Sequence, residues 1–426
     1  MISSVTRARV SLRGRRCIPL IAALAVGAPL MGVVPPAPRA SARPADAGLD
    51  IGRAGLRETR SVQRVTTGVS VTTIVRGQKA ATNATRGTTP LGPWRVRVAT
   101  IDKNAKGQLR TAIGTDIART EGVSTLARWS RSYVAVNGSF FSQGRRSAPG
   151  DMVGLAVNAG TIISQPQRVA GHMGVLMDSR TKRLRMDDYT WKATLTSEAG
   201  ELFLDAVNTP LVAPPGCEKL TDFTRCPAKG QVVRHTPHYS LQTSTGPGAE
   251  VVFDRSGCVV SAKRTRGTRI TPAQTTVQAT GASATELLRV AGSGCPAYRE
   301  KLFGADREPV TLSKTTFGVV GRYRLVRDGR IVAPTYKTSF FQRQPRTIIG
   351  RTAGGSIKLV TIDGRSTASV GATMQETARV AKSLGLVDAV NLDGGGSTAM
   401  AVRGRVINTP AGGRERSVGD AVVFMP

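Results

Sequence analysis

The chain has 426 residues, a net charge of +32, 40% hydrophobic residues and 4% aromatic residues. That length allows one large domain or two ordinary ones. The 47 glycines, 23 prolines and many Thr and Val residues argue for a strand- and turn-rich fold and against one built on long helices.

Residues 1–42 read as a secretory signal peptide. Arg7, Arg9, Arg13, Arg15 and Arg16 precede an apolar run over 18–34, and Ala40-Ser41-Ala42 offers a cleavage site. Gly27, Pro29 and Gly32 interrupt the run, which weakens a membrane-anchor reading. Arg15-Arg16 leaves Sec and twin-arginine export both open. No second apolar run of about 18 residues follows, so no transmembrane anchor is expected in the mature chain. Residues 1–42 hold six arginines and no lysine or acidic residue, so removing them from +32 leaves +26. The remaining basic residues are spread along the chain. With export, this favours an anionic envelope polymer over specific nucleic acid as partner.

Residues 43–89 read as an N-terminal arm, with one or two early strands over 61–75 and a loop over 76–90. Residues 94–101 alternate as a strand. A helix is expected around 123–129, leading into an apolar strand, Tyr133-Val134-Ala135-Val136, that stops at Asn137-Gly138. Residues 190–315 read as a β-rich, loop-rich segment, a candidate inserted subdomain, with one short helix over 283–290. This segment carries Cys217, Cys226, Cys258 and Cys295. Four cysteines in an exported chain imply disulfides. Of three connectivities, Cys217–Cys226 with Cys258–Cys295 is favoured, because the first pair closes a short Pro- and charge-rich loop. No CxxC spacing points to zinc or redox chemistry.

The last hundred residues are the most legible. A strand over 318–325 leads to an Asp328-Gly329 hairpin turn. Thr373-Met374-Gln375-Glu376 is a capping box opening a helix to about Leu384, with Ala378, Ala381 and Leu384 as its buried stripe and Gly385 as its terminator. A strand then delivers Asp393, three glycines and two hydroxyls: Asp393-Gly394-Gly395-Gly396-Ser397-Thr398. Glycines let another group approach closely, and successive N–H groups in such a turn can cradle an anion.

Four segments are apolar runs ending in polar, glycine-containing turns: Asn137-Gly138, Pro345-Arg346-Thr347, Asp363-Gly364-Arg365-Ser366 and 391–398. A β-rich α+β fold, with a mixed sheet and few short helices, can gather these strand ends at one edge, where ligands commonly bind. The order of the motifs resembles the phosphodiester glycosidase family over about 90–426. The resemblance is carried by Val136-Asn137-Gly138-Ser139-Phe140-Phe141, Pro345-Arg346-Thr347-Ile348-Ile349-Gly350, Asp363-Gly364-Arg365-Ser366 and Asn391-Leu392-Asp393-Gly394-Gly395-Gly396-Ser397-Thr398. Glu415-Arg416-Ser417-Val418 fits loosely. Ser139 and Ser417 depart from the residues expected there, glycine and proline.

The resemblance implies hydrolysis of the bond between an anomeric carbon and a phosphodiester oxygen, in a glycosyl-1-phosphodiester or an anionic envelope polysaccharide. Asp393 is the first catalytic carboxylate, Asp363 the second, and Arg346 the phosphate-binding cation. Gly394, Gly395, Gly396, Ser397 and Thr398 would complete the phosphate cradle. Asn137, Arg365 and Arg416 are further substrate contacts. Two rival readings stand: a binding protein without turnover, and a phosphodiesterase cutting on the other side of phosphorus. No cofactor is called for. His235 and His238 lack an HExxH helix, Ser397 lies outside any GxSxG, and no lysine follows the glycines as in a P-loop.

Overall fold

A computed structural model describes residues 48–77, 79, 81–142 and 148–426. All of them belong to a compact unit spanning 42–426. The signal reading of residues 1–42 lies outside the described residues. The fold is β-rich α+β, with 43% strand and 10% helix. Among the described residues there are three α-helices: α1 (Val123–Trp129), α2 (Ala282–Ala291) and α3 (Met374–Ser383). None is long and apolar enough to cross a membrane.

The central element is an eight-stranded sheet whose strands pair antiparallel throughout. Its order is Glu58–Thr66, Val69–Arg76, Trp94–Ile101, Ile357–Ile362, Arg346–Thr352, Leu386–Asn391, Arg324–Arg327 and Arg330–Ile331. The two early strands read from 61–75 are therefore its outer members. Neighbouring residues in the middle strands enter different cores, because side chains alternate across a strand. Ile348 and Val360 pack with Ala378, Val380 and Ala381 of α3. Ile349 and Leu359 pack instead against Val134, Val136, Val422 and Phe424. Burial on both faces explains why apolar residues stand side by side in these strands, as at Ile348-Ile349 and Leu359-Val360.

The residues on the second face belong to a five-stranded sheet ordered Arg405–Val406, Met400–Val402, Val134–Asn137, Asp420–Met425 and Gln108–Ile113. Another five-stranded sheet, centred on His172–Asp178 and Thr316–Arg322, adds Val175, Met177, Phe317 and Val319 to the same core. The expected single strand over 318–325 is divided at Tyr323, whose φ of 66° turns the chain. Thr316–Arg322 stays in this sheet, while Arg324–Arg327 joins the eight-stranded one. The Asp328-Gly329 turn forms with φ values of 48° and 72°, the left-handed pair a two-residue hairpin requires.

The middle of the chain carries two sheets of its own. One has four strands, including Thr190–Ser197 and Ala297–Phe303. The other has five, including Lys229–His235, Gly246–Phe253 and Thr275–Gly281. A separate core from Ala193 to Ala291 joins them under α2. This second sheet holds the parallel pair, Ala206–Val207 with Lys229–His235, that makes the β-structure mixed. The disulfides are Cys217–Cys226 and Cys258–Cys295, the favoured connectivity.

The capping box at Thr373 forms in full: its hydroxyl accepts from the Glu376 N–H at 3.1 Å, and Glu376 accepts from the Thr373 N–H at 2.8 Å. Gly385 follows at φ 79°, ending the helix. α3 thus returns the chain to the strand Leu386–Asn391, the one that leads into Asp393.

Candidate active site

Register places the motif ends together. Arg346 pairs with Ile362, and Ile348 with Asn391, so the start of one strand meets the ends of its two neighbours. On the facing sheet Asn137 pairs with Ala421. The Asn137 side chain bridges the two sheets. Its Nδ2 donates to the Asp393 carbonyl at 2.7 Å, and its Oδ1 accepts from the Thr347 hydroxyl at 2.7 Å and the Ala399 N–H at 3.2 Å. Asn137 is fully buried. It positions the Asp393 turn rather than facing a ligand.

A cavity of about 250 Å³ opens beside that turn, lined by Phe140, Ser339, Phe340, Gln344, Arg346, Arg365, Asp393, Gly394 and Gly395. Asp393 is the one carboxylate in this lining. It is buried, and its Oδ2 has no hydrogen-bond partner among the described residues. Burial pushes its carboxyl up to about 6, against the opposing pull of the nearby Ser397 hydroxyl, the Gly394 N–H and the Arg416 charge. A buried carboxylate oxygen without a partner at a cavity leaves hydrogen-bonding capacity for a ligand.

Arg346 forms the cationic wall. Its Nε donates to the Ala372 carbonyl at 3.0 Å, and its Nη2 to the Phe340 and Gln342 carbonyls at 2.6 and 2.8 Å. Its guanidinium lies 5.3 Å from the centre of the Phe340 ring. Burial lowers its pKa to about 10, so it stays charged at neutral pH. Neutral carbonyls fix the side chain without neutralising it, which suits recognition of an anion. Arg365 stands beside it at the mouth, exposed, its Nε donating to Gln344 Oε1 at 2.8 Å.

The glycine turn is narrower as a cradle than its sequence suggests. Gly395–Ser397 forms a 3-10 turn. The Gly395 N–H donates to the Pro345 carbonyl at 2.9 Å, Ser397 to Gly394 at 3.1 Å and Thr398 to Gly395 at 3.4 Å. Those three donors are engaged in the fold, and the buried Thr398 hydroxyl packs against Thr347. What the glycines provide is approach. A Cβ at Gly394 would lie 2.8 Å from the Pro345 carbonyl oxygen, one at Gly395 3.0 Å from Arg365 Nη2, and one at Gly396 2.4 Å from Arg416 Nη2. Two guanidinium groups therefore lie directly on the turn.

Asp363 does not join the cavity. Its Oδ2 pairs with Arg97 at 2.7 Å and accepts from the Thr409 N–H at 3.2 Å; its Oδ1 accepts from Asn408 Nδ2 at 3.0 Å. Asn408 in turn accepts from the Met400 N–H at 2.8 Å. Asp363 thus anchors the chain leaving the turn. Glu415 has a comparable role, accepting from the Ser124 N–H at 3.1 Å in the first turn of α1. His235 and His238 are engaged with the Thr209 carbonyl and Asn158, away from the cavity.

One carboxylate escapes the sequence reading. Asp420 opens the last strand and is buried, accepting from the Ser139 N–H at 2.6 Å and the Ser139 hydroxyl at 2.7 Å. Burial raises its carboxyl to about 6 despite those donors, and the Asp393 charge adds to the rise. It explains two sequence features. Ser139 supplies the hydroxyl, and Gly138 leaves room, since a Cβ there would sit 2.4 Å from Asp420 Oδ1. The signal available in the sequence is a lone acid directly before a buried strand. Phe340, in the short turn Ser339–Phe341, and Gln344, beyond that turn, are also cavity residues without a sequence signal.

A buried carboxylate facing Arg346 and Arg365 across a small cavity suits a substrate that pairs an anion with an electrophilic carbon. Residues 239–425 match the phosphodiester glycosidase family. The match bears out the resemblance and takes in Arg346, Asp363, Asp393, Arg416 and Asp420; it begins after Asn137. A prophage-derived protein of Bacillus subtilis (strain 168) is 40% identical over 82 residues, 19% of this chain and 13% of that protein. The chain therefore spans a small part of that relative's length. Two solved structures share the fold. A candidate exported protein of Burkholderia pseudomallei K96243 superposes with a TM-score of 0.74 at 24% identity, covering 92% of this chain and all of the other. A Synechocystis protein superposes with a TM-score of 0.65 at 18% identity, covering 86% of this chain and 64% of the other.

Proposed function

We propose that the protein is an exported glycosidase that hydrolyses the bond between the anomeric carbon and the phosphodiester oxygen of a glycosyl-1-phosphodiester, within an anionic glycan or envelope polymer. The observation that carries this reading is the buried, unpartnered Asp393 Oδ2 in a cavity whose charged wall is Arg346 and Arg365. The family match supports the reaction class. Two disulfides fit an oxidising compartment outside the cytoplasm. Residues 90–426 would form the catalytic domain, and the separate core of the middle segment supports treating 190–315 as an insertion within it.

In this reading Arg346 and Arg365 hold the phosphate, and Asp393 faces the anomeric carbon. The bond from that carbon to the phosphate oxygen breaks, its electrons leave on a phosphomonoester anion, and water supplies the hydroxyl of the released sugar. A phosphate leaves more readily than a sugar alkoxide, so the site needs less general-acid help than an ordinary glycosidase. Asp393, with a pKa of about 6, is largely ionised at neutral pH and acts as the carboxylate at the reacting carbon. Asp420 orders Ser139 and the Asn137 strand end behind it. The test is product identity. Incubation with an N-acetylglucosamine-1-phosphodiester should release the free sugar. Release of N-acetylglucosamine-1-phosphate would replace this reading with a phosphodiesterase, and binding without turnover would replace it with a glycan-binding protein.

A further inference from the structure

A second cavity lies away from Asp393. It occupies about 550 Å³, within the range of small-molecule sites, and shares no lining residue with the Asp393 cavity. It opens where the two sheets of the middle segment meet. Arg234 comes from the strand Lys229–His235 of one sheet, and Tyr298 from the strand Ala297–Phe303 of the other. The Arg234 guanidinium lies 4.4 Å from the centre of the Tyr298 ring. No carboxylate pairs with Arg234 among the described residues, so a half-buried cation is held on an aromatic face with its charge unneutralised.

The walls are fixed before any ligand arrives. The Tyr298 hydroxyl donates to Glu300 Oε2 at 2.9 Å, and Trp191 Nε1 donates to the same oxygen at 3.3 Å. The opposite rim is the 254–257 turn. There Asp254 Oδ1 accepts from the Ser256 N–H at 2.8 Å, the Ser256 hydroxyl at 2.6 Å and the Cys258 N–H at 3.0 Å. The Cys258–Cys295 disulfide ties that turn to the segment leading to Tyr298. Pro237, Pro272 and Pro296 stiffen the lining further. Arg255, exposed on the rim, adds a second cation against the single carboxylate of Asp254. Rigid walls reduce the ordering cost of binding. The lining combines flat apolar faces, two guanidinium groups and small polar side chains such as Ser256, Gln274 and Thr275. That combination matches a sugar ring bearing an anionic substituent.

We propose that this cleft is a second binding site for a phosphodiester-linked saccharide, holding a repeat of the polymer distant from the bond being cut. The choice of ligand rests on the proposed reaction; the existence of an anion-saccharide site does not.

The experiment uses the full mature chain carrying Asp393→Asn, so that substrate persists. The probe is an octamer of N-acetylglucosamine joined through 1-phosphodiesters, titrated calorimetrically beside the neutral N-acetylglucosamine octamer. Arg234→Gln should weaken the charged octamer about tenfold and Arg255→Ala about threefold, with the neutral octamer bound more weakly throughout. In the otherwise unaltered enzyme, both substitutions should raise KM for the charged octamer and leave kcat/KM for the methyl diester of N-acetylglucosamine-1-phosphate unchanged. Arg255 is exposed, so its variant reports even where Arg234→Gln disturbs folding. Charged-octamer affinity that is absent, or unaltered in both variants, overturns the proposal, as does equal affinity for the neutral octamer. If the unaltered enzyme cuts no diester, the reaction reading fails while the titration still decides the cleft.

Discussion

Asn137 and Asp393 are joined by a 2.7 Å hydrogen bond from the Asn137 side-chain amide to the Asp393 main-chain carbonyl. The Asp393 N–H returns a bond to the Gly138 carbonyl at 3.1 Å, so the carboxylate's backbone is held from both ends by one strand end of the facing sheet. Replacing Asn137 by Ala leaves the buried Asp393 carbonyl and Ala399 N–H without a partner and leaves the Thr347 hydroxyl only its 3.5 Å contact with Thr398. Each unsatisfied buried group costs about 1–3 kcal/mol, with relaxation reducing the sum. Asn137→Ala should lose about 3 kcal/mol of stability in urea unfolding. Because Asn137 touches the turn and not the cavity, kcat should fall more than substrate affinity. Unchanged kcat in a folded Asn137→Ala protein would remove the positioning role.

Asp393→Asn should abolish sugar release and also stabilise the protein at neutral pH. The folded carboxyl titrates at about 6, raised by burial above the ordinary aspartate value of about 4. A folded state that holds its proton more tightly than the unfolded chain loses stability as pH rises from about 4 to about 6, and the penalty is complete above that. At pH 7 it amounts to about 3 kcal/mol, at 1.36 kcal/mol per unit. Asp393→Asn should therefore raise Tm at pH 7, with the gain shrinking as pH falls towards 4. The same titration predicts that kcat/KM of the unaltered enzyme rises between pH 5 and 7 as the carboxylate forms. A flat profile across that window, or a Tm lowered at pH 7 in Asp393→Asn, would contradict the assignment.

The glycines beside the site should differ sharply in their tolerance of a methyl group. A Cβ at Gly138 meets Asp420 Oδ1, which Ser139 holds in place; a Cβ at Gly396 meets the end of the exposed Arg416 side chain, which can swing aside. Overpacking against a fixed group typically costs about 1–3 kcal/mol. Gly138→Ala should fall in that range by thermal unfolding, and Gly396→Ala below about 1 kcal/mol. Gly396→Ala should nonetheless raise KM, because it moves Arg416 off the turn. Equal loss of stability in the two variants would show that the carboxylate of Asp420 is free to move.

The parts of the site legible in the sequence are those set by neighbours along the chain. Strand ends, the glycine turn and the Thr373 capping box are local patterns, and they form as read. The roles of individual carboxylates are not local. Asp363 and Asp393 look alike in sequence, each at the end of an apolar strand. What separates them is Arg97, 266 residues from Asp363, and Asn408, 45 residues away, which occupy both oxygens of Asp363, while Asp393 keeps an Oδ2 without a partner. Asp420 was hidden for the same reason, since its significance comes from Ser139, 281 residues earlier. Composition shows that a glycine turn can be tight without showing which way its amides point, and here those of Gly395, Ser397 and Thr398 point into the fold. The break at Tyr323 was invisible because a tyrosine, not a glycine, takes the left-handed conformation there.

The two disulfides should contribute unequally to stability. Cross-linking removes loop-closure entropy from the unfolded chain, and the effect grows with the length of the closed loop. Cys217–Cys226 spans 9 residues and Cys258–Cys295 spans 37. In the chain-entropy relation these correspond to about 3 and about 4 kcal/mol. Removing the longer bridge as Cys258→Ser with Cys295→Ser should therefore lower stability by about 1 kcal/mol more than removing the shorter one. Native structure already brings the ends of the longer loop together, through the Val259 N–H donating to the Gly294 carbonyl at 2.8 Å. The folded form should therefore survive at low temperature, with loosened restraint on the rim next to Tyr298. Urea unfolding of the two double-serine proteins, with octamer titration of each, checks both consequences. Loss of octamer affinity on removing Cys217–Cys226, with none on removing Cys258–Cys295, would place the saccharide contact elsewhere in the middle segment.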